Sequence, residues 1–278
     1  MRKSRSRAVL RGVAFLLLTA GLLPLAVAGA AFGPAVMRPV RRLWCRGTAR
    51  LLGLRLSLEG EPFDALPTLF VANHVSYLDI AALGAFLDAT FIAKREVAGW
   101  PLLGFLARLA GTFFVRRRWR EARIQRDALA ARMRRGESFI LFGEGTSTNG
   151  LAVRRFKTSL LGVAEPWLLD RPVAVQGVTL AYVRLADGTP IGPETCDLYA
   201  WHGDATLMPH LWNVLQMAGV AVRIVLHEPV PSWSVACRKA LGRSLEEQIA
   251  LALGRGTVPA EPTASVPVER MPAAARTA

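Results

Sequence analysis

Residues 1–58 contain no acidic side chain, and inside them a 26-residue apolar stretch, Gly12 to Met37, lies between two basic groups. Arg2, Lys3, Arg5, Arg7 and Arg11 precede it, and Arg38, Arg41, Arg42, Arg46 and Arg50 follow. A helix of that length crosses the ~30 Å hydrocarbon core of a bilayer, so the rest of the chain has to fold beside a membrane. The basic start and the small residues Ala26–Ala31 imitate a secretory signal. The run is long, however, and an Arg-rich segment follows at once, so a retained anchor is expected. Five basic residues on each side leave the positive-inside rule without a preferred orientation for a single span. Pro24, with Gly21, Gly29, Gly33 and Pro34, would let the segment bend and return to the same face. Both basic flanks would then rest on anionic cytoplasmic headgroups. A plain single span with an Arg-rich juxtamembrane helix is the alternative.

Hydrophobic residues make up 52% of the 278 positions and charged residues 20%, which excludes a largely disordered chain. Lys and Arg total 35 against 21 Asp and Glu, and the formal charge of +14 calls for an anionic partner. Cys45, Cys196 and Cys237 are too few and too scattered for a disulfide framework or a paired-cysteine metal site. His202 and His210 are eight apart with no third ligand at matched spacing.

Past Gly53 strands and helices alternate. Thr68–Ala72 reads as a buried strand and Tyr77–Leu87 as a helix; Phe91–Ala93 is a strand, Trp100–Leu109 a helix, and Thr112–Val115 a strand. Trp119–Arg135, free of Gly and Pro, is a strong helix. Ser138–Phe142 is a strand, Lys157–Leu168 a helix, Val173–Tyr182 a long strand and Asp197–Ala200 a short one. Helix Leu207–Ala218, strand Val220–Leu226 and a helix from Trp233 to about Leu253 complete the pattern. The expectation is an α/β domain with a mixed central sheet flanked by helices, plus an N-terminal membrane-associated helical segment. In domain terms, residues 1–55 are the basic, apolar anchor, 56–255 the folded domain, and 256–278, rich in Pro, Ala and Thr, a disordered tail.

Ligands of such sheets sit where strands end and helices begin, and two turns of that kind carry unusual residues. Asn73-His74-Val75-Ser76-Tyr77-Leu78-Asp79 follows the buried strand directly. A histidine with a carboxylate five residues on is a candidate general base held in one tautomer, able to activate an alcohol at neutral pH. A structural histidine capping the helix satisfies the same spacing. Gly143-Glu144-Gly145-Thr146-Ser147-Thr148-Asn149-Gly150 follows a second strand, and its glycines and small polar residues expose backbone N–H groups as an anion cradle. Glu144 is out of place beside an anion and suits a role in holding the loop. No Gly-Lys-Ser/Thr follows, so this is not a P-loop. Between the two turns, Thr112–Val115 delivers Arg116, Arg117 and Arg118 to a strand end, where an arginine fork can take a phosphate. The next helix adds Arg120, Arg123, Arg126, Arg132, Arg134 and Arg135 around its circumference, which suits a surface lying on lipid headgroups.

The ordered set His-x4-Asp, Gly-x-x-Phe-x-x-Arg and Phe-x-Glu-Gly-Thr resembles the glycerolipid acyltransferases of the 1-acylglycerol-3-phosphate acyltransferase type, over roughly residues 40 to 230. The stretch from Phe91 to Arg117 is similar to the linker of that family, and Arg171–Leu180 corresponds to its fourth block. The resemblance implies His74 as the base that activates the acceptor hydroxyl and Asp79 as its orienting partner. It associates Arg117, Glu144, Gly145 and Thr146 with the lysophospholipid headgroup. The family's third block usually reads Phe-Pro-Glu-Gly-Thr-Arg; here Gly143 replaces the proline and Ser147 the arginine, so Arg154, Arg155 or Lys157 becomes the substitute phosphate ligand. The form Glu-Gly-Thr-Ser, with Trp201-His202-Gly203-Asp204 and Pro209-His210-Leu211-Trp212 downstream, resembles a branch that includes acyltransferases making ornithine lipid from its lyso form.

The implied reaction is direct acyl transfer from acyl-carrier protein or acyl-CoA, as donor substrates, to a lysophospholipid hydroxyl, with no cofactor or metal. The first acceptor is 1-acyl-sn-glycerol-3-phosphate, giving phosphatidic acid, and lyso-ornithine lipid is the alternative. The expected place is the inner membrane with the site facing the cytoplasm. A nucleic-acid-binding protein accounts for the charge but not for the apolar N-terminus, and a non-catalytic lipid-binding protein leaves the His74–Asp79 pair without a purpose.

Overall fold

The computed structural model describes residues 3–116, 118–166, 168 and 172–255. The 256–278 tail and Arg171 lie outside them. The N-terminus forms two helices, α1 (Arg5–Phe32) and α2 (Pro34–Leu51). Pro24 is accommodated inside α1, and the chain reverses instead at Gly33, whose φ of 98° is open to glycine, with Pro34 starting α2. The two helices pack along each other through small residues. A Cβ on Gly29 would lie 3.0 Å from the Met37 backbone, and one on Gly47 would strike Leu18. Trp44 donates its indole N–H to Thr19 (3.0 Å) and meets Phe15 edge-on.

The domain that follows consists of β1 (Leu54–Glu59), β2 (Thr68–Ala72), α3 (Leu78–Gly84), β3 (Thr90–Lys94), α4 (Leu103–Leu109), β4 (Phe113–Val115), α5 (Ala122–Met133), β5 (Phe139–Phe142), β6 (Ala174–Leu185), α6 (Leu207–Gln216), β7 (Val220–Pro231) and α7 (Arg238–Arg255). Seven strands form one sheet in the order β1-β7-β6-β2-β5-β3-β4. The sheet is mixed, as expected: β6 and β7 run antiparallel, and every other neighbouring pair is parallel. The carboxyl ends of β2, β5, β3 and β4 therefore lie along one edge.

Alternation along β2 sorts the two cores. Phe70 and Ala72 face α2, α3 and α6, whereas Leu69 and Val71 face α5 and α7. The molecule is layered, with the N-terminal hairpin outermost on the α3 side and α5 on the opposite side. Ala49 of α2 and Leu52 just after it share a core cluster with Leu54 of β1, so the 55/56 division passes through continuous packing.

Two expectations are corrected, and one strand was not foreseen. Lys157–Leu168 holds only a short 3-10 turn, Leu160–Ala164, because Glu165 must be extended before Pro166. Asp197–Ala200 is a turn rather than a strand: the N–H groups of Tyr199 and Ala200 both close onto the Cys196 carbonyl. β1, which pairs with β7, has no counterpart in the sequence reading.

The basic flanks of the apolar stretch also do something other than meet headgroups. Arg7 donates to the Gln216 carbonyl (3.1 Å) and Arg11 to that of Met217 (2.7 Å), so both satisfy the open C-terminal carbonyls of α6. Arg46 does the same for Ala85 (2.9 Å) at the end of α3, and Arg38 and Arg41 pair with Asp88 (3.2 and 2.9 Å). The opposite side of α1 is bare: Leu10, Leu17 and Phe32 are 70%, 68% and 81% exposed.

The helices α2 and α3 meet where α3 has no side chain. A Cβ on Gly84 would come 2.4 Å from the Sγ of Cys45, a thiol that burial pushes up to about 12 and so leaves as an inert packing group. Gly84→Ala is expected to destabilise the detergent-solubilised protein by about 1–3 kcal/mol, read as a fall in Tm. Adding Cys45→Ala should recover part of that loss. An unchanged Tm in Gly84→Ala would show that α2 does not dock on α3 in this way.

Candidate active site

The site forms just beyond the end of β2. Asn73 is buried, and its side chain donates to the Leu180 carbonyl (2.9 Å) while accepting the Leu180 N–H (2.7 Å). This reciprocal pair continues the β2–β6 pairing through a side chain and lets the backbone turn. His74 is then held at its main chain from both sides. Its N–H donates to Glu144 (2.8 Å), and its carbonyl accepts from the backbone N–H of Thr148 (2.9 Å).

Asp79, in the first turn of α3, is fully buried. Its Oδ2 accepts from His74 Nδ1 (2.8 Å), Val75 N–H (2.7 Å) and Ser76 N–H (3.0 Å), and its Oδ1 accepts from the Tyr182 hydroxyl (2.8 Å). A carboxylate only accepts, so the hydrogen of a neutral His74 sits on Nδ1 and the Nε2 lone pair is left free. Phe142 stacks on the imidazole, with centroids 3.9 Å apart and planes 15° off parallel, and Phe91 stacks behind it. The His74 side chain keeps 18% of its surface open. Position, tautomer and ring plane are thus set before any ligand arrives, and one lone pair faces outward. That arrangement can take a proton from a hydroxyl.

Glu144 is buried and holds the loop. One carboxylate oxygen takes the His74 N–H and the other the Arg154 N–H (3.1 Å). Burial raises its pKa, and the two backbone donors pull it back. Gly143, at the proline position of the related motif, donates its N–H to the Ala72 carbonyl (2.9 Å), and a Cβ there would overlap the Phe156 ring at 2.6 Å. A proline would forfeit that bond and collide with the ring. Gly145 has φ 68°, Thr146 is exposed, and the exposed Lys157 packs its stem near Gly145 and gives its N–H to Gly143 (2.8 Å). Of the predicted site residues, His74, Asp79, Glu144, Gly145, Thr146 and Lys157 are therefore brought together. Arg117 lies outside the described residues. β4, which ends just before it, is the edge strand, with β5 and β3 between it and β2.

Sequence reasoning missed Tyr182, and it placed Asn73, Phe142 and Thr148 in the motifs without giving them these roles. It also missed what Trp201 and His210 do. The Trp201 N–H donates to the Val75 carbonyl (3.0 Å), and Trp100 and Tyr77 meet its ring edge-on at 6.0 and 5.8 Å. The Tyr77 hydroxyl lies 3.0 Å from His210 Nδ1. Burial pushes the Tyr77 phenol up and His210 down, so the hydrogen bond joins two uncharged groups. The segment between β6 and β7 thus lies against the His74 turn.

Comparisons with known proteins show the family. Residues 55–180 match the family model described as Acyltransferase. The lyso-ornithine lipid O-acyltransferase of Rhodobacter capsulatus is 38% identical over 265 residues, covering 90% of this chain and 91% of that protein. The Brucella abortus protein of the same name is 38% identical over 208 residues, 73% of this chain and 78% of that protein. The 1-acyl-sn-glycerol-3-phosphate acyltransferase of Neisseria meningitidis is 31% identical over 207 residues, 73% and 77% of the two chains. In fold alone, the chain matches the crystal structure of the 1-acyl-sn-glycerophosphate (LPA) acyltransferase PlsC from Thermotoga maritima, with a TM-score of 0.55 at 22% identity over 88% of this chain and 97% of that one. A domain of this fold, with relatives alike over most of their length, belongs to the PlsC-type acyltransferase family, and the chain is an acyltransferase of lipid metabolism.

Proposed function

We propose that this protein is a membrane-bound O-acyltransferase that moves a fatty acyl group from an acyl thioester to the free hydroxyl of lyso-ornithine lipid. The observation that carries the chemistry is the 2.8 Å contact between His74 Nδ1 and Asp79, which frees Nε2. His74 Nε2 removes the hydroxyl proton as the oxygen attacks the thioester carbonyl, forming the new C–O bond and a tetrahedral intermediate. The intermediate collapses with loss of the thiolate, which takes the proton from the imidazolium. Asp79 stabilises that imidazolium and keeps the ring in place. The enzyme forms no covalent bond to the acyl group. Acyl-carrier protein and acyl-CoA both present the required thioester.

Two observations favour lyso-ornithine lipid. Relatives of that name are 38% identical against 31% for the 1-acyl-sn-glycerol-3-phosphate enzyme, and Ser147 stands where an arginine would bind phosphate. The second reading is 1-acyl-sn-glycerol-3-phosphate as acceptor, supported by the Gly-x-x-Phe-x-x-Arg block ending at Arg117.

The anchor is read as lying in the plane of one leaflet rather than crossing it. α1 is long and apolar enough to cross a bilayer. Its first turns are tied to α6 through Arg7 and Arg11, however, and its length is packed on α2, whose arginines grip the end of α3. Only its outer apolar side is left for lipid. The inner membrane, with the site on the cytoplasmic side, is the corresponding location.

Acyl transfer by the solubilised protein, with both lyso lipids offered in parallel, tests the acceptor. Turnover is expected with lyso-ornithine lipid, and turnover of 1-acyl-sn-glycerol-3-phosphate alone would reverse the assignment. His74→Ala should lower kcat by about 100- to 10,000-fold with membrane binding intact; near-normal turnover would remove His74 as the base. Tyr182→Phe deletes one donor to a buried carboxylate, about 1.5–3 kcal/mol, so kcat should fall roughly 10- to 100-fold with both KM values held. A matching rise in KM would mean that Tyr182 only supports the fold.

A further inference from the structure

The first turns of α5 and the strand ends beside them carry charge that neither the site nor the anchor uses. α5 buries Leu129, Ala130 and Met133 against the sheet and turns Arg123 outward, whereas Arg126 and Arg132 are half-buried. Arg123 and Arg118 are 86% and 75% exposed, and Arg116 and Arg120 are exposed as well. The nearby acids are shared out: Glu121 lies 3.6 Å from Arg116 and 4.0 Å from Arg118, and Asp127 lies near both Arg126 and Arg123. The balance stays positive. Arg95, past the end of β3, joins this rim through a cleft lined by Glu96, Arg116 and Arg118. The rim is held in shape, because the Gln125 side chain both donates to and accepts from the Arg116 backbone at 2.9 Å.

Location decides what anion this surface meets. The sequence pattern suggested lipid headgroups for α5, but α5 covers the opposite side of the sheet from α1 and α2. A bilayer that holds the outer side of α1 therefore lies on the other side of the sheet from α5, although α4, which packs beside Arg95–Gly99, touches α1. The rim does share an edge with His74, since β2, β5, β3 and β4 are parallel and their carboxyl ends coincide. β2 and β4 are three strand spacings apart, about 14 Å. Ile124, 69% exposed among the arginines, adds an apolar contact at the centre.

We propose that Arg95, Arg116, Arg118, Arg120 and Arg123, around Ile124, form the docking surface for a soluble, acidic acyl-carrier protein. Its phosphopantetheine arm then reaches along the strand ends to His74. The proposal rests on the acyl-transfer reading above and chooses between its two donors. An acidic helix complements the rim, and the long flexible arm covers the distance that the folded carrier cannot.

The test uses the full-length protein in detergent with the variant R118E/R120E/R123E and its conservative counterpart R118K/R120K/R123K. Binding of unacylated carrier protein is measured directly, and KM is measured for acyl-carrier protein and acyl-CoA. The wild type should bind the carrier and lose affinity steeply toward ~0.3 M salt. The Glu variant should bind about 10-fold or more weakly, with KM for acyl-carrier protein raised to match. Its kcat and its KM for acyl-CoA should stay unchanged, and the Lys variant should retain binding. Carrier binding unaffected by charge reversal would overturn the proposal. So would a parallel rise in KM for acyl-CoA, or an equal loss of binding to anionic vesicles or nucleic acid, since each assigns the rim to a general anion. Absence of transfer from every donor would remove the acyl-transfer reading instead, while the binding measurement still decides the docking surface.

Discussion

A carboxylate shut off from water is unfavourable unless its lone pairs are filled, and Asp79 fills its own from the turn before it, the histidine beside it and a strand across the sheet. Each donor is placed by a different part of the fold. The N–H groups of Val75 and Ser76 require the tight turn into α3, the imidazole requires the exit from β2, and the Tyr182 hydroxyl requires β6 as the neighbour of β2. Removing the carboxylate would leave several buried donors without partners at once. The tautomer of His74 is therefore a property of how the sheet is assembled, not only of two side chains five positions apart.

The arginines of the N-terminal hairpin follow a related logic. Those that satisfy helix ends, Arg7 and Arg11 at α6 and Arg46 at α3, do work that a C-cap glycine or water does elsewhere. They make the hairpin a structural layer of the domain. The same helix that presents Leu10, Leu17 and Phe32 outward is bolted at its start to the helix that carries His210, which in turn bonds Tyr77 in the turn after His74.

Much of this was legible in the residues. The apolar run Leu69–Ala72 marks a strand buried on both faces, and it places His74 at a strand end without further help. The same holds for Phe139–Phe142 and the glycine turn after it. Tyr182 was not legible, because its phenol reaches Asp79 across 103 positions and looks like one more aromatic in an apolar strand. β1 escaped because alternating Leu with Arg, Ser and Glu on an edge strand, directly after an Arg-rich helix, breaks no pattern that the helix began. The arginines of α5 were read as a surface for lipid headgroups, and α5 lies on the opposite side of the sheet from the hairpin. Periodicity tells which stripe of a helix is buried, whereas the side of the sheet it covers is set by the crossover from β4 to β5. Gly143 was read as the loss of a proline; the Phe156 ring beside it shows that the loop is built around the missing Cβ.

One consequence of the layered sheet concerns how the two reactants travel. The apolar hairpin lies over one face of the sheet and α5 over the other, and His74 sits at the end of a strand between them. On the proposed reading, an acceptor held in a leaflet would search for that edge by lateral diffusion in two dimensions, and a water-borne donor would search for it in three. The sheet would keep the two approaches apart, so that neither reactant had to vacate an entrance before the other could use it. Crowding in the lipid phase and concentration in the aqueous phase would then act on the rate through separate doors.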